Sequence, residues 1–323
     1  MFHFNRQASP PTSAPAHPLQ RHRRRDWFIG SALLFSLIIL VEYAIGWSQL
    51  LTPWRTLPLS TIFILFGCMA ISYTLRAVRI YDDFYSLMRR RFKTTLRLSI
   101  LHTTANVLLP MRLGEVVFPW LMQRYFNHNI FAAGASLIWI RLLDLHFLAL
   151  TGLFILWLVQ PSWLWIFAIL LWLFLLLAQR WIASFGQRWR GQIVLNYWQR
   201  GVLLIANAAP DDTIKMIRLY VWTALSWITK FIAFTTVLQH FLPITFWQVL
   251  TGVIGAELSS VLPFHGIAGA GSYELALVAA VLPLGIKATA ALAGAVNLHL
   301  FMLSSSILLG LLALLLRVQR AND

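Results

Sequence analysis

Apolar runs of membrane-spanning length occupy most of this sequence. A helix needs about 20 consecutive apolar residues to cross the hydrocarbon core of a bilayer. The first such run is residues 27–47, and it follows a basic cluster at residues 21–25. Later runs cover residues 58–78, 98–122, 130–159, 162–179, 219–241, 246–264, 267–283 and 286–316. The pattern predicts an all-α polytopic membrane bundle.

Composition supports a membrane protein and excludes several other classes. Hydrophobic residues make up 59% of the chain and charged residues 11%, whereas soluble domains carry about 25% charged residues. The net charge of +15 comes from basic residues beside the apolar runs, so we expect contact with anionic lipid headgroups and no nucleic acid. The single cysteine, Cys68, excludes a disulfide framework. The histidines lack metal-ligand spacing, so no metal or cofactor is predicted.

The distribution of basic residues predicts the orientation. Residues 76–97 and 180–218 are rich in Arg and Lys, while 48–57 and 159–162 contain only Arg55. Cytoplasmic loops carry the excess of basic residues. We therefore expect the chain to lie in the inner membrane with both basic stretches and both termini in the cytoplasm. About six full spans plus two re-entrant hairpins satisfy this topology. The acidic pairs at residues 82–83 and 211–212 are expected to be solvated loop charges.

Three regions are predicted along the chain. Residues 1–26 lack an apolar period and read as a disordered basic cytoplasmic tail. Residues 27–316 form the transmembrane domain, and residues 317–323 form a short cytoplasmic tail. The first apolar run contains Glu42 and lacks an A-x-A pattern, so it is interpreted as a span and not as a cleaved signal peptide.

Two apolar runs are broken by residues that lipid does not tolerate. The breaks fall in residues 102–126 and 257–274, and each has the order Pro, Gly, Glu. Irregular backbone occurs at membrane depth only where protein or a water-filled cavity satisfies it. The two breaks therefore predict opposed hairpins in an inverted arrangement, with a binding site between them. The alternative is that Pro and Gly only kink two packed helices. The predicted hinges are Pro110, Pro263 and Gly266.

Charged residues inside the runs have two interpretations each. Glu115 and Glu274 follow glycines where helices begin, so they either neutralise the helix start or hold and exchange protons. Arg141 and Asp144 lie three residues apart on one helix face; they form an intrahelical pair, or Asp144 orients Arg141 towards a headgroup. Arg112 is the expected phosphate partner.

Two stretches resemble the lysylphosphatidylglycerol synthase transmembrane family, a flippase-like membrane domain. The first is NVLLPMRLGEVVFPWLM, followed by IRLLD at 140–144, and the second is LPFHGIAGAGSYELALVAAVLPLGI. The resemblance covers about residues 27–316. It implies a unit that in multidomain relatives moves an aminoacylated phospholipid between leaflets, while a separate soluble domain makes that lipid. Since the sequence stops at Asp323, the aminoacyltransferase domain is expected to be missing.

The leading hypothesis is a lipid translocase for a phosphate-bearing lipid, either a membrane phospholipid or a polyprenyl lipid. No Walker A motif is present, so energy would come from a gradient, a partner or no source. The predicted substrate-binding residues are Asn106, Arg112, Gly114, Glu115, Arg141, Asp144, Gly269, Gly271 and Glu274.

Two alternatives stay open. One is an integral membrane enzyme that modifies a lipid headgroup or polyprenyl carrier, with His102 or Glu115 as general base. The other is a non-transporting membrane partner of a lipid-synthesising enzyme. The leading hypothesis predicts a protein that is not an enzyme, with the lipid-synthesising enzyme as a possible partner.

Overall fold

The computed structural model describes residues 35–110, 113–187, 196–210, 212–259 and 267–318, and it is 87% helical. Of the two predicted tails, 1–26 and 317–323, residues 1–26 and 319–323 lie outside these ranges. The helices are α1 over Phe35–Ala44, α2 Trp47–Leu51, α3 Leu59–Asp83, α4 Tyr85–Met88, α5 Phe92–Leu108, α6 Gly114–Phe126, α7 Ile130–Val159, α8 Trp163–Gln187, α9 Tyr197–Asn207, α10 Thr213–Phe241, α11 Phe246–Ser259, α12 Ser272–Val281 and α13 Ala288–Leu315. Short 3-10 turns cover Thr52–Thr56, Ile267–Gly269 and Leu282–Leu284.

Several of these helices are long and apolar enough to cross a bilayer. They are α3, α7, α10, α13 and the segment Ile267–Leu284, and α1 with α2 would add a sixth as a pair bent by 88°. Large apolar side chains such as Phe63, Trp163 and Phe167 point outward, as a lipid-facing surface requires. The all-α polytopic membrane bundle predicted from the sequence is confirmed.

Helices α3 and α10 form an antiparallel pair through the centre of the bundle. The Ser72 hydroxyl donates to the carbonyl of Ser226, with 2.8 Å between the oxygens. Around this pair, the buried side chains of α11, α12 and α13 complete one apolar core that includes Phe234 and Phe301.

The acidic residues at the end of α3 are not solvated loop charges, so that expectation is wrong. Asp82 pairs with Arg218 at 2.5 Å, and Asp83 pairs with Lys215 at 3.3 Å. Asp212 accepts from the backbone N–H of Lys215 and caps α10, while Asp211 lies outside the described residues. These ion pairs connect the end of α3 to the start of α10. Carboxylates without such partners would have remained solvated.

The first broken segment forms a helical hairpin, α5 and α6, whose two ends lie together. The guanidinium of Arg91, before α5, lies 4.8 Å from the centroid of the Phe126 ring at the end of α6. Helices of 17 and 13 residues reach about 26 and 20 Å at 1.5 Å per residue. Both are shorter than the hydrocarbon core of about 30 Å, so neither helix alone is long enough to cross it.

The second broken segment forms the hairpin α11 and α12. Gly255 of α11 faces α12 so closely that an added Cβ would lie 2.5 Å from the Cβ of Ala280 and 3.1 Å from the carbonyl oxygen of Ala276. Near the base of the hairpin, the Gln248 amide donates to the carbonyl of Leu284 at 3.4 Å. Each break therefore separates two antiparallel helices and does not merely kink one.

The two hairpins enter the bundle from opposite ends. The first follows the end of α3, and the second follows the end of α10, which is antiparallel to α3. The side chains of Thr56 and His240 lie 3.3 Å apart at the end that carries the second hairpin. The inverted arrangement predicted from the two Pro-Gly-Glu breaks is therefore present.

Gly255→Ala should destabilise the protein, although alanine is the better helix former. The methyl group would meet Ala280 and the backbone of Ala276, and overpacking of this kind costs about 1–3 kcal/mol. Gly67 in α3 has no atom within 4 Å of an added Cβ, so Gly67→Ala is the matched control. Thermal unfolding in detergent should show a lower Tm for Gly255→Ala and an unchanged or higher Tm for Gly67→Ala. Equal shifts would contradict the close contact.

Candidate functional site

The first hairpin turns tightly because of one proline and one glycine. Leu109 adopts an extended backbone, as residues before proline do, and Pro110 ends α5. An added Cβ on Gly114 would lie 2.3 Å from the backbone nitrogen of Asn106. Only glycine allows the start of α6 to lie this close to α5. The predicted hinge at Pro110 is thus at the turn, while Arg112 falls outside the described residues.

Polar residues at this turn form a continuous chain of contacts. The Asn106 amide donates to Glu115 Oε1 at 3.1 Å. The same oxygen lies 2.8 Å from Nε of Arg141 on α7. Arg141 in turn lies 3.3 Å from Asp144. The i,i+3 pair predicted on α7 is present, and it also reaches the first hairpin.

Asp144 binds a second arginine on another helix. Arg79 of α3 lies 2.7 Å from Asp144 Oδ1, and the indole N–H of Trp227 donates to that oxygen at 3.0 Å. Arg79 also donates to the hydroxyl of Thr223 at 2.8 Å. A single carboxylate therefore joins α3, α7 and α10.

The expectation of a basic cytoplasmic loop over residues 76–97 is wrong for two of its arginines. Arg76 and Arg79 lie inside α3 and are buried, at 8% and 3% exposed. The loop assignment is wrong because the apolar run of α3 ends before its helix does. Within the helix, residues three apart share one face, and this face points into the bundle.

A second ion pair joins α10 to the second hairpin. Lys230 Nζ lies 2.7 Å from Glu257 Oε2, with both side chains almost fully buried. Lys230 also lies 4.9 Å from the centroid of the Trp227 ring. The sequence shows Lys230 and Glu257 as isolated charges, and only the packing of α11 on α10 identifies each as the partner of the other.

His102 is held between the first hairpin and Arg141. Its Nε2 lies 3.2 Å from an Nη atom of Arg141, and its Nδ1 lies 3.2 Å from the carbonyl oxygen of Gly114. Arginine can only donate, so Nε2 accepts and Nδ1 carries the proton. Both ring nitrogens are therefore engaged, which leaves no free lone pair for a base in this arrangement.

The second hairpin turns through a left-handed backbone at residues 268–271. Ala268, Gly269 and Gly271 have φ angles of 55°, 81° and 85°. The carboxylate of Glu274 accepts from the backbone N–H of Gly271 at 2.8 Å, so it caps the start of α12. Pro263 and Gly266, the other predicted hinges, lie outside the described residues.

Glu274 also forms a hydrogen bond with a histidine. His299 Nδ1 lies 2.5 Å from Glu274 Oε1, and His299 Nε2 lies 2.8 Å from the carbonyl oxygen of Ala268. The carbonyl can only accept, so Nε2 donates. The short contact then joins an imidazolium to a carboxylate, or an imidazole to a carboxylic acid. In both cases the pair is neutral overall.

A cavity of about 130 Å³ lies between the tips of the two hairpins. This is about ten times the space that one water molecule needs. Both hairpins line it, with Asn106 and Glu115 from the first and Glu257, Gly269 and Tyr273 from the second. A cavity with charged and polar lining residues therefore lies between the two broken segments.

The predicted site residues fall into three groups around this cavity. Asn106, Glu115, Arg141 and Gly269 line it. Gly114 and Asp144 hold those residues in place, while Gly271 and Glu274 form the turn behind the lining. Sequence reasoning gave no site role to the lining residues Arg76, Arg79, Trp227, Lys230 and Glu257. The available signal was the charge of Arg76, Lys230 and Glu257 at positions within or beside apolar runs.

A family model described as the lysylphosphatidylglycerol synthase transmembrane region matches residues 27–310. The chain belongs to this family. No curated protein matches it. Together with the membrane helices, membership identifies a membrane protein of lipid metabolism or transport.

The geometry brings together polar residues from the two motifs that carried the resemblance. The R-L-G-E and R-L-L-D stretches of this family member supply Glu115, Arg141 and Asp144, which the structure joins in one network. The resemblance recognised in the sequence is confirmed.

Asp144→Asn should disrupt this network and lower the stability of the protein. Removing the carboxylate leaves Arg79 and Arg141 without their shared counter-charge, and breaking a buried ion pair costs about 3–5 kcal/mol. Asp82→Asn is the matched control, because its partner Arg218 is half exposed and such pairs contribute about 1 kcal/mol or less. Unfolding by detergent titration in mixed micelles should separate the two variants by at least about 2 kcal/mol. Similar losses would show that Asp144 does not hold the bundle together.

Proposed function

We propose that this protein is a lipid translocase that moves a phosphate-bearing lipid between the leaflets of the cytoplasmic membrane. The observation that carries the proposal is the charged cavity between two opposed re-entrant hairpins. The headgroup would occupy the cavity while the acyl chains stay in the bilayer. No covalent change of the lipid is part of the proposal.

The energetics of buried charge support a transport site. An ionisable side chain at the centre of a bilayer costs about 2.5–3.5 kcal/mol on insertion scales, and such residues usually mark a substrate or ion pathway. This cavity collects Arg76, Arg79, Arg141 and Lys230 within one apolar bundle. A scaffold that needed only stability would have used apolar side chains in these positions, since replacing buried ion pairs by apolar residues is often neutral or stabilising.

The opposed hairpins support alternating access. In inverted-repeat transporters the substrate binds near the bilayer midplane, between broken helices that approach from opposite sides. Here each hairpin contributes a charged residue to the lining, Glu115 from one side and Glu257 from the other. Movement of either hairpin would open the cavity to its own side. With the predicted orientation, the first hairpin opens it to the cytoplasm.

Glu115 is the residue best placed to control access from the first hairpin. Its carboxylate is held by Asn106 and in turn holds Arg141. Neutralising that carboxylate would release Arg141 towards a headgroup and loosen the turn at Gly114. We therefore assign Glu115 the gating role and Arg141 a headgroup contact. Energy would come from a gradient, a partner or the lipid gradient itself.

Glu115→Gln and Arg141→Gln should each slow lipid movement about tenfold or more, since a hydrogen bond to a charged group contributes about 1.5–3 kcal/mol. The measurement is dithionite quenching of fluorescent phosphatidylglycerol in proteoliposomes with matched protein content. Arg55→Gln is the control, because Arg55 is exposed and is not among the residues that line the cavity. Each variant is first checked for a sharp thermal transition, so that misfolding is not read as lost transport.

Two results would overturn the proposal. One is an absence of movement by folded wild-type protein across a panel of anionic, zwitterionic and polyprenyl lipids. The other is transport that both variants retain in full. Mass spectrometry of the same lipids would reveal a covalent change, which would favour a membrane enzyme.

A further inference from the structure

Arg76 is the one cavity-lining cation without a carboxylate partner among the described residues. It is 92% buried, and no Asp or Glu oxygen in the described part of the chain lies within 4.0 Å of it. Its Nε is buried and has no hydrogen-bond partner. The guanidinium lies 4.9 Å from the centroid of the Trp227 ring. That contact uses the face of the guanidinium and leaves the N–H donors at its edge free.

The other three cations are each compensated. Arg79 pairs with Asp144, Arg141 with Glu115, and Lys230 with Glu257. The four lining cations are therefore matched by three carboxylates, Glu115 and Glu257 in the lining and Asp144 beside it, which leaves one positive charge. Glu274 and His299 do not change this sum, because their pair is neutral in either protonation arrangement.

Two stretches outside the described ranges, residues 111–112 and 260–266, contain no acidic residue in the sequence. Residues 111–112 contain Arg112, and residues 260–266 contain His265, and neither stretch contains Asp or Glu.

A buried cation without a counter-charge is unfavourable until an anion arrives. Breaking or omitting the partner of a buried charge is strongly destabilising, whereas a phosphate can accept two parallel N–H donors from one guanidinium. A zwitterionic headgroup would bring an ammonium into a cavity that already holds excess positive charge. An aminoacylated, cationic headgroup would add more. Of the lining carboxylates, Glu115 is already held by Arg141, so an incoming ammonium would have to displace that arginine.

We propose that the cavity selects a lipid with a net anionic phosphate headgroup, that Arg76 supplies the counter-charge, and that zwitterionic and aminoacylated headgroups are disfavoured. This inference rests on the proposed function in taking the cavity as the headgroup site, and it adds the class of lipid. The Trp227 ring lies 4.9 Å from the Arg76 guanidinium and holds it in place.

Binding without transport is the first test. Purified protein in neutral detergent is titrated with short-chain phosphatidylglycerol, phosphatidylcholine and lysylated phosphatidylglycerol, and the thermal transition is followed. Deacylated glycerophosphoglycerol is a further arm that separates a free phosphodiester from a lipid. We expect phosphatidylglycerol to raise the Tm most. Equal or larger shifts with phosphatidylcholine or the lysylated lipid would overturn the proposal, and so would a glycerophosphoglycerol affinity equal to that of the lipid.

Substitutions of Arg76 give the second test. Arg76→Gln should weaken phosphatidylglycerol binding about 10- to 100-fold, while Arg76→Lys keeps the charge and part of the affinity. Without lipid, Arg76→Gln should keep or raise the Tm, because it removes an uncompensated charge. A large loss of Tm without lipid, or unchanged lipid binding, would mean that Arg76 is only structural and would overturn the proposal. Arg55→Gln should behave as wild type.

The two tests separate this inference from the proposed function. Selective, Arg76-dependent binding of phosphatidylglycerol by protein that moves no lipid would leave the anionic site standing and remove the translocase. Movement of lipid without preference for anionic headgroups would keep the translocase and remove the anionic site.

Discussion

Three helices of the bundle depend on the carboxylate of Asp144. It lies 2.7 Å from Arg79 and 3.3 Å from Arg141, and it accepts from the indole of Trp227. In lipid, apolar side chains give little preference for one helix neighbour over another, so polar contacts and close packing decide which helices associate. Because Arg79 is buried and Arg141 is partly buried, this carboxylate favours the arrangement of α3 and α7 in which it meets both. The position of α10 then follows from Trp227.

From this centre, the network reaches both hairpins by different routes. Arg141 continues to Glu115 and the first turn, while Lys230 continues to Glu257 and the second. The hairpins themselves are held by small residues: Gly114 against Asn106, and Gly255 against Ala276 and Ala280. Close backbone approach lets two short helices share the space that one span would occupy. The two short hairpins can therefore end near the middle of the bundle, where their polar turns meet at the cavity and not in lipid.

The charge distribution around the cavity favours function over stability. Three ion pairs are complete, and among the described side chains Arg76 contacts the ring of Trp227 and no carboxylate. Natural proteins tolerate such local strain where activity requires it. A cavity with every charge paired would be more stable, but it would have no electrostatic reason to take a headgroup out of water. The proposed anionic selectivity follows from this imbalance.

Hydrophobic periods and composition were enough to predict the membrane bundle, because span length and the cost of exposed backbone in lipid act locally along the chain. The two Pro-Gly-Glu breaks similarly predicted opposed hairpins, and R-L-G-E with R-L-L-D predicted that Asn106, Glu115, Arg141 and Asp144 belong together. Only the tertiary structure decided which charges pair, since the partners of Arg79 and Lys230 lie 65 and 27 residues away. It also decided that Arg76 has no carboxylate within ion-pair distance in the part of the chain that the structure describes. Long-range pairing depends on how helices rotate against one another, and no pattern within a single helix contains that information.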